Sequence, residues 1–279
     1  MVEVAAIADA VRRAISLAAV ELRPDALSAM ETALGAERAP RAKRVLEQLV
    51  DNARIARAEH VPLCQDTGTV WVWLELGGQE CLSGDVYAAV DAAVAEAYRD
   101  GALRMSVARD ALTDRTNTTD NTPAFVDITL RPGSGATVHV MLKGGGSDNS
   151  SVLEMLEPAA GMEGVRELVL RTVREKATGA CPPLVVGVGV GATFDKVALL
   201  AKKALLRPIG EPSDNASVAA FERELMDEIN ASGIGPAGMG GDTTALAVNV
   251  LSAPCHIASL PVAVNMGCCA VRSVSIDVA

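Results

Sequence analysis

The chain has 279 residues, 49% of them hydrophobic, which suits one large domain or two ordinary ones and excludes a disordered tail. A net charge of −10 argues against the basic face that nucleic acid requires and against an anionic membrane surface, so neither partner is expected. No run of about 18 apolar residues occurs, and Met1–Ala10 carries Glu3 and Asp9 without a basic stretch. A cytoplasmic location is therefore expected, with a small anionic substrate still open if cations converge locally.

In chain order, the first sixty residues read as helices. Val4, Ile7, Val11 and Ile15 recur at helical spacing; a second helix is predicted from Asp25 to Leu34 with Gly35 as its stop, and a third from Arg41 to Ala58. Thr69–Leu76 is rich in β-branched and aromatic residues and reads as a strand, followed by a helix from Asp85 to Arg99. Phe125–Leu130 and Thr137–Leu142 are predicted strands on either side of a Pro-Gly turn. Further on, Glu163–Lys176 reads as a helix, Leu184–Val190 as a strand, Thr193–Leu206 and Ser217–Asn230 as helices. Ala245–Val250, Val262–Val264 and Val271–Val278 are strand-like. The expected class is α/β of the α+β type. A mixed β-sheet is flanked by helices with a helical N-terminal layer (1–60), all within one domain spanning 1–279.

Glycines and cysteines collect in the loops between these elements, where binding and catalysis concentrate. Cys64 lies between Pro62 and Gly68, Cys181 follows Gly179 and precedes two prolines, and Cys268 follows Gly267. Three such loop cysteines could converge on one metal centre, although wide spacing leaves no ligand signature and a buried Cys is ordinarily core filler, as expected of Cys81. The Gly187–Ala192 run mimics a dinucleotide fingerprint, but no strand follows its helix, so close helix-on-sheet packing is the expected use. Lys143 and the three glycines after it lack the order of a phosphate-binding Walker loop; an anion cradle and a flexible turn both remain open. Arg115 sits in a Thr/Asn/Asp-rich segment that could equally be a solvated turn, and a lone His256 could equally be structural.

Taken together, CQDTG, the Arg115–Pro123 segment, KGGGSDNSS, ACPP, GIGPAGMGGDTTAL and HIASLPVAVNMGCCAVR resemble the α region of class I iron–sulfur fumarate hydratases and L-tartrate dehydratases. The motifs occur in the family's order from about residue 50 onward. The resemblance implies a lyase of the hydro-lyase type that binds a [4Fe–4S] cluster through Cys64, Cys181 and Cys268. It implies that Gln65, Asp66, Arg115, Gly146 and His256 line the substrate pocket, with Asp66 and His256 handling protons. Three thiolates leave one iron without a protein ligand, available as a Lewis acid. The implied substrate is a small dicarboxylate: fumarate/malate, tartrate or mesaconate.

The sequence stops eleven residues after Cys268, so the family's second portion, with its catalytic Thr and further cations, is expected on a separate β subunit in an α2β2 heterotetramer. The alternatives weighed are a structural Cys₃His zinc site and a cluster sensor without an enzymatic partner.

Overall fold

The computed structural model describes residues 1–278. Helices α1 (Val4–Val20), α2 (Pro24–Ala36) and α3 (Pro40–Glu59) open the chain, then β1 (Thr69–Gly77), α4 (Val86–Asp100), β2 (Phe125–Arg131) and β3 (Ala136–Lys143) follow. A one-turn helix α5 (Gly145–Asn149) leads to β4 (Val152–Leu156), α6 (Gly161–Lys176), β5 (Leu184–Ala192), α7 (Phe194–Ala204) and α8 (Ala216–Ala231). Strands β6 (Ala245–Cys255), β7 (Leu260–Gly267) and β8 (Ser273–Val278) complete the described chain. The α+β class is as expected, with 44% helix and 24% strand, but the strands sort into two mixed sheets. The chain divides into two compact units.

The first unit comprises Met1–Arg23, Ala53–Gly145 and the chain from Arg272. Its sheet has the order β2-β1-β3-β8, with β1 parallel to β2 and antiparallel to β3. Val70, Val72, Leu74 and Leu76 alternate along β1 and bury one face against α1 and α4. Ala10 and Ala14 of α1 and Ala93 and Ala97 of α4 are buried in the same core, small residues that let a chain with few aromatics pack closely. Asp85 caps α4 by accepting from the amides of Tyr87 and Ala88. On the other face of the sheet, Trp71 donates to Asp127 at 2.6 Å and Trp73 to Thr129 at 2.7 Å.

The second unit comprises Pro24–Asn52 and Gly146–Val271. Its sheet has the order β4-β7-β5-β6, in which β5 runs parallel to β6 and antiparallel to β7. Val186, Val188, Val264 and Met266 face α6 and α8. On the opposite face α7 lies directly on β5, because Gly187 and Gly189 present no side chains. A Cβ on Gly187 would stand 2.2 Å from the Ala201 carbonyl oxygen, and one on Gly189 2.4 Å from that of Val197. The glycine run is therefore a helix-packing seam as expected, although the parallel strand expected to be absent is present as β6, reached through α7 and α8.

Two local expectations are corrected. Gly35 lies inside α2, which ends at Ala36. An isolated glycine weakens a helix by only about 1 kcal/mol and stops it only where the chain turns away. Cys81 is exposed rather than core-filling. Helix α5 lies within Gly144–Ser151, which has the composition of a loop, and β4 is a strand of only five residues directly after it.

Candidate functional site

In the first unit the CQDTG loop is fixed from below. The Tyr98 hydroxyl reaches the carbonyls of Thr67 (3.1 Å) and Gly68 (2.9 Å), Asn121 donates to the same Gly68 carbonyl (3.2 Å), and Thr67 donates to Arg104 O (2.7 Å). Gly68 has φ +81°, and a Cβ there would stand 2.4 Å from the Lys143 carbonyl oxygen, so the loop can close on β3 only with glycine. Asp66 accepts the Gly68 amide at 3.1 Å and the Gly145 amide at 2.8 Å. One amide of the KGGG run is therefore spent on Asp66. Cys64 is half-buried and Gln65 exposed.

Beside these residues opens a cleft of about 490 Å³, lined among others by Gln65, Asp66, Arg104, Asn117, Lys143 and Gly145. Its cations are the buried Lys143, which opens the glycine run read as a possible anion cradle, and Arg104, which the sequence did not mark. Arg115 is elsewhere: exposed, with Nη1 donating to the Ala111 carbonyl at 3.0 Å. It sits among Asx turns in which Asp110, Asp114 and Asp120 accept from residues two or three further on. The Thr113 hydroxyl and then the Thr113 and Leu112 amides hold Asp110 down at about 2.

The second unit gathers several of the other loops by topology. Val185 of β5 faces Gly267 of β7, so the residue before β5 and the residue after β7 meet at one sheet end. The Cys269 amide donates to the Cys181 carbonyl at 3.0 Å. Because β6 is parallel to β5 and β4 antiparallel to β7, the loops preceding β6 and β4 emerge at that end too. The Ala237 amide bonds the Pro182 carbonyl at 2.8 Å, and the buried Glu37 accepts the Asp242 amide at 2.9 Å, seating the GPAGMGGD loop. Gly146 lies against Gly179: a Cβ on it would be 2.8 Å from the Gly179 oxygen. Cys181 is exposed, with φ 56°, a backbone conformation unusual for a side-chain-bearing residue. Cys268 is half-buried.

His256 is not in this group. It lies between the end of β6 and the start of β7, at the opposite end of the same sheet. The eight residues of β7 put it roughly 25 Å from Cys268. Its exposed ring accepts the Ala258 amide on Nδ1 at 3.1 Å, which leaves the proton of the neutral imidazole on Nε2.

All six cysteines carry thiols rather than disulfides. Cys64, Cys181 and Cys268 lie outside the helices and strands. This soft donor set is chemically suited to an iron–sulfur cluster. Among the described residues, no three His, Cys, Asp or Glu side chains are gathered into a group that could hold a metal ion. No helix there is long and apolar enough to cross a membrane.

An α+β scaffold with thiols and a cation-lined cleft on glycine-rich loops has the layout of an enzyme for small anions. A family profile described as fumarate hydratase (Fumerase) matches residues 8–277. The chain is 38% identical over 273 residues to a Methanocaldococcus jannaschii protein provisionally named as the α subunit of an L(+)-tartrate dehydratase, covering 95% of each chain. It is 32% identical over 253 residues to the L(+)-tartrate dehydratase subunit alpha of Escherichia coli K12, covering 89% of this chain and 82% of that one. The chain belongs to the fumarate hydratase family and is a hydro-lyase of the fumarate hydratase and tartrate dehydratase type.

Proposed function

We propose that the chain is the cluster-bearing α subunit of a two-subunit dehydratase for a small dicarboxylate, with L(+)-tartrate ahead of malate/fumarate and mesaconate. The observation that carries the reading is the cleft beside Gln65 and Asp66, in which Lys143 and Arg104 offer two cations to an otherwise acidic protein. The names of the relatives support tartrate and a partner subunit. Cys64, Cys181 and Cys268 are the proposed thiolate ligands of a [4Fe–4S] cluster. When bound, such a cluster has one iron without a protein thiolate and supplies Lewis-acid assistance to loss of a hydroxyl group.

The chain's own residues then do the following. Arg104 and Lys143 hold the carboxylates, Arg104 by a planar fork and Lys143 as a point charge. Gln65 orients the substrate by hydrogen bonding. Asp66, pinned by two amides, accepts or returns a proton without reorienting. Gly146 amides are proposed to bind the distal carboxylate. Arg115 stands as a second candidate for the guanidinium clamp, through its place in the family motif. His256 is the second proton-handling group; since β7 separates it from Cys268, it serves the site of a second α chain in an α2β2 assembly. Full turnover by a single αβ pair would remove His256 from the reaction. The compartment proposed is the cytoplasm, where thiols stay reduced.

The experiment is anaerobic co-expression with the β polypeptide, followed by assay of the three acids side by side. The chain alone is expected to hold its cluster and show no turnover, and the complex to turn over L-tartrate fastest. Turnover by the isolated chain would show that no partner is needed.

The two arginines separate in one comparison. Arg104→Lys is expected to cost on the order of 2–3 kcal/mol, the worth of a charge-assisted pair, or about 30- to 150-fold in kcat/KM. Arg115→Lys is expected to cost less than about threefold, since its guanidinium is spent on a turn carbonyl. The reverse order, measured on the complex with iron content unchanged, would return the clamp to Arg115.

A further inference from the structure

One buried charge has no part in the chemistry above. Arg272 is 3% exposed, and its Nε and Nη1 have no hydrogen-bond partner. Its carbonyl accepts the Leu142 amide at 2.9 Å, which fixes its backbone beside the end of β3. A Cβ built on Gly144 would stand 3.5 Å from Arg272 Nη2 and 3.1 Å from Asp66 Oδ2, so the guanidinium and the carboxylate flank the same glycine. Burial drives the Tyr98 phenol upward; among the smaller influences on it, Arg272 opposes that shift and Asp66 adds to it.

A guanidinium cannot shed its proton to escape burial, and unmet N–H donors in the interior are costly. A fold that keeps such a charge beside a working carboxylate has its field fixed before the substrate arrives. We propose that Arg272 is a positioning residue for Asp66: the Gly68 and Gly145 amides hold the carboxylate on the cleft wall, and the buried guanidinium acts on it across Gly144 through its charge. Arg272 itself touches no substrate and exchanges no proton. The inference rests on the proposed role of Asp66 in turnover.

The test is a double-mutant cycle on the cluster-loaded α–β complex, reading kcat, KM and iron per chain. Asp66→Asn is expected to lower kcat about 100-fold. Arg272→Met is expected to lower kcat about 30-fold with KM within about threefold and iron unchanged. In the Asp66→Asn background, Arg272→Met should cost less than about twofold more, because a residue that acts through Asp66 has nothing left to act on. Wild-type kcat in Arg272→Met, or its full loss repeated on top of Asp66→Asn, overturns the proposal. Should Arg272→Met give no folded complex, Arg272→Lys replaces it, with a loss of about fivefold that must likewise vanish beside Asp66→Asn. Wild-type turnover in Asp66→Asn would break the link while leaving the hydro-lyase activity intact. A wild-type complex inactive on all three acids would instead defeat the proposed function.

Discussion

Serine in place of Cys64, Cys181 or Cys268 is expected to lower iron in the anaerobically reconstituted chain from about four atoms to fewer than about one. A serine hydroxyl is a far poorer ligand for a soft metal than thiolate, so each replacement removes one of only three protein anchors. Serine at Cys81, Cys255 or Cys269 should leave the iron nearly unchanged. Cys81 and Cys255 are exposed and remote from the Cys181 turn in sequence, and the Cys255 thiol already reaches the Ser259 carbonyl at 3.2 Å. Cys269 is the informative control. Its amide, not its thiol, makes the 3.0 Å bond to the Cys181 carbonyl, and serine preserves that amide. Loss of iron in Cys269→Ser with retention in Cys268→Ser would move the third ligand by one residue. Equal iron in all six variants would remove the three-cysteine site altogether.

The largest effect on stability is expected at the seam between α7 and β5. Gly189→Ala places a methyl 2.4 Å from the Val197 carbonyl oxygen and 2.7 Å from the Ala201 amide nitrogen. Both are backbone atoms of a helix packed on buried strands, so neither can swing away as a side-chain tip would. Overpacking commonly costs 1–3 kcal/mol. Here the helix itself must shift, and a loss on the order of 3–5 kcal/mol is expected, a large share of a domain's stability. Denaturant unfolding of the second unit should report it as a lower midpoint. Gly84→Ala, which meets no atom within 4 Å, is the matched control and should change little. Equal midpoints for the two variants would show that α7 is not seated on the glycines.

What the sequence revealed and what it withheld divide along physical lines. The long periodic helices and β-branched strands were legible because their signals are local. The packing use of the glycines was legible, but not for want of a second strand: the parallel strand β6 does follow, after a second helix, and it is the closeness of α7 that requires glycine at Gly187 and Gly189. Cys64, Cys181 and Cys268 could be read as loop cysteines from the Gly and Pro around them. Lys143 was marked only by the glycines after it, which left an anion cradle and a flexible turn equally open. Nothing in the neighbours of Arg104 and Arg272 distinguishes them from solvated cations, and only the pairing of β1 with β3 and β3 with β8 brings Lys143 and Arg272 beside Asp66. His256 is the converse. Twelve residues from Cys268 is a short step in sequence, but a strand converts eight of them into the full length of a sheet. Arg115 belongs to a motif, yet the Asx turns around it spend its guanidinium locally.

The cluster is the centre of this account, and its direct test is metal analysis of the anaerobically purified α–β complex. About four iron atoms and four acid-labile sulfides per α chain are expected, with colour that fades in air and activity that fails before the colour does. One zinc per chain with no sulfide would contradict the account and leave Cys64, Cys181 and Cys268 as a structural zinc site.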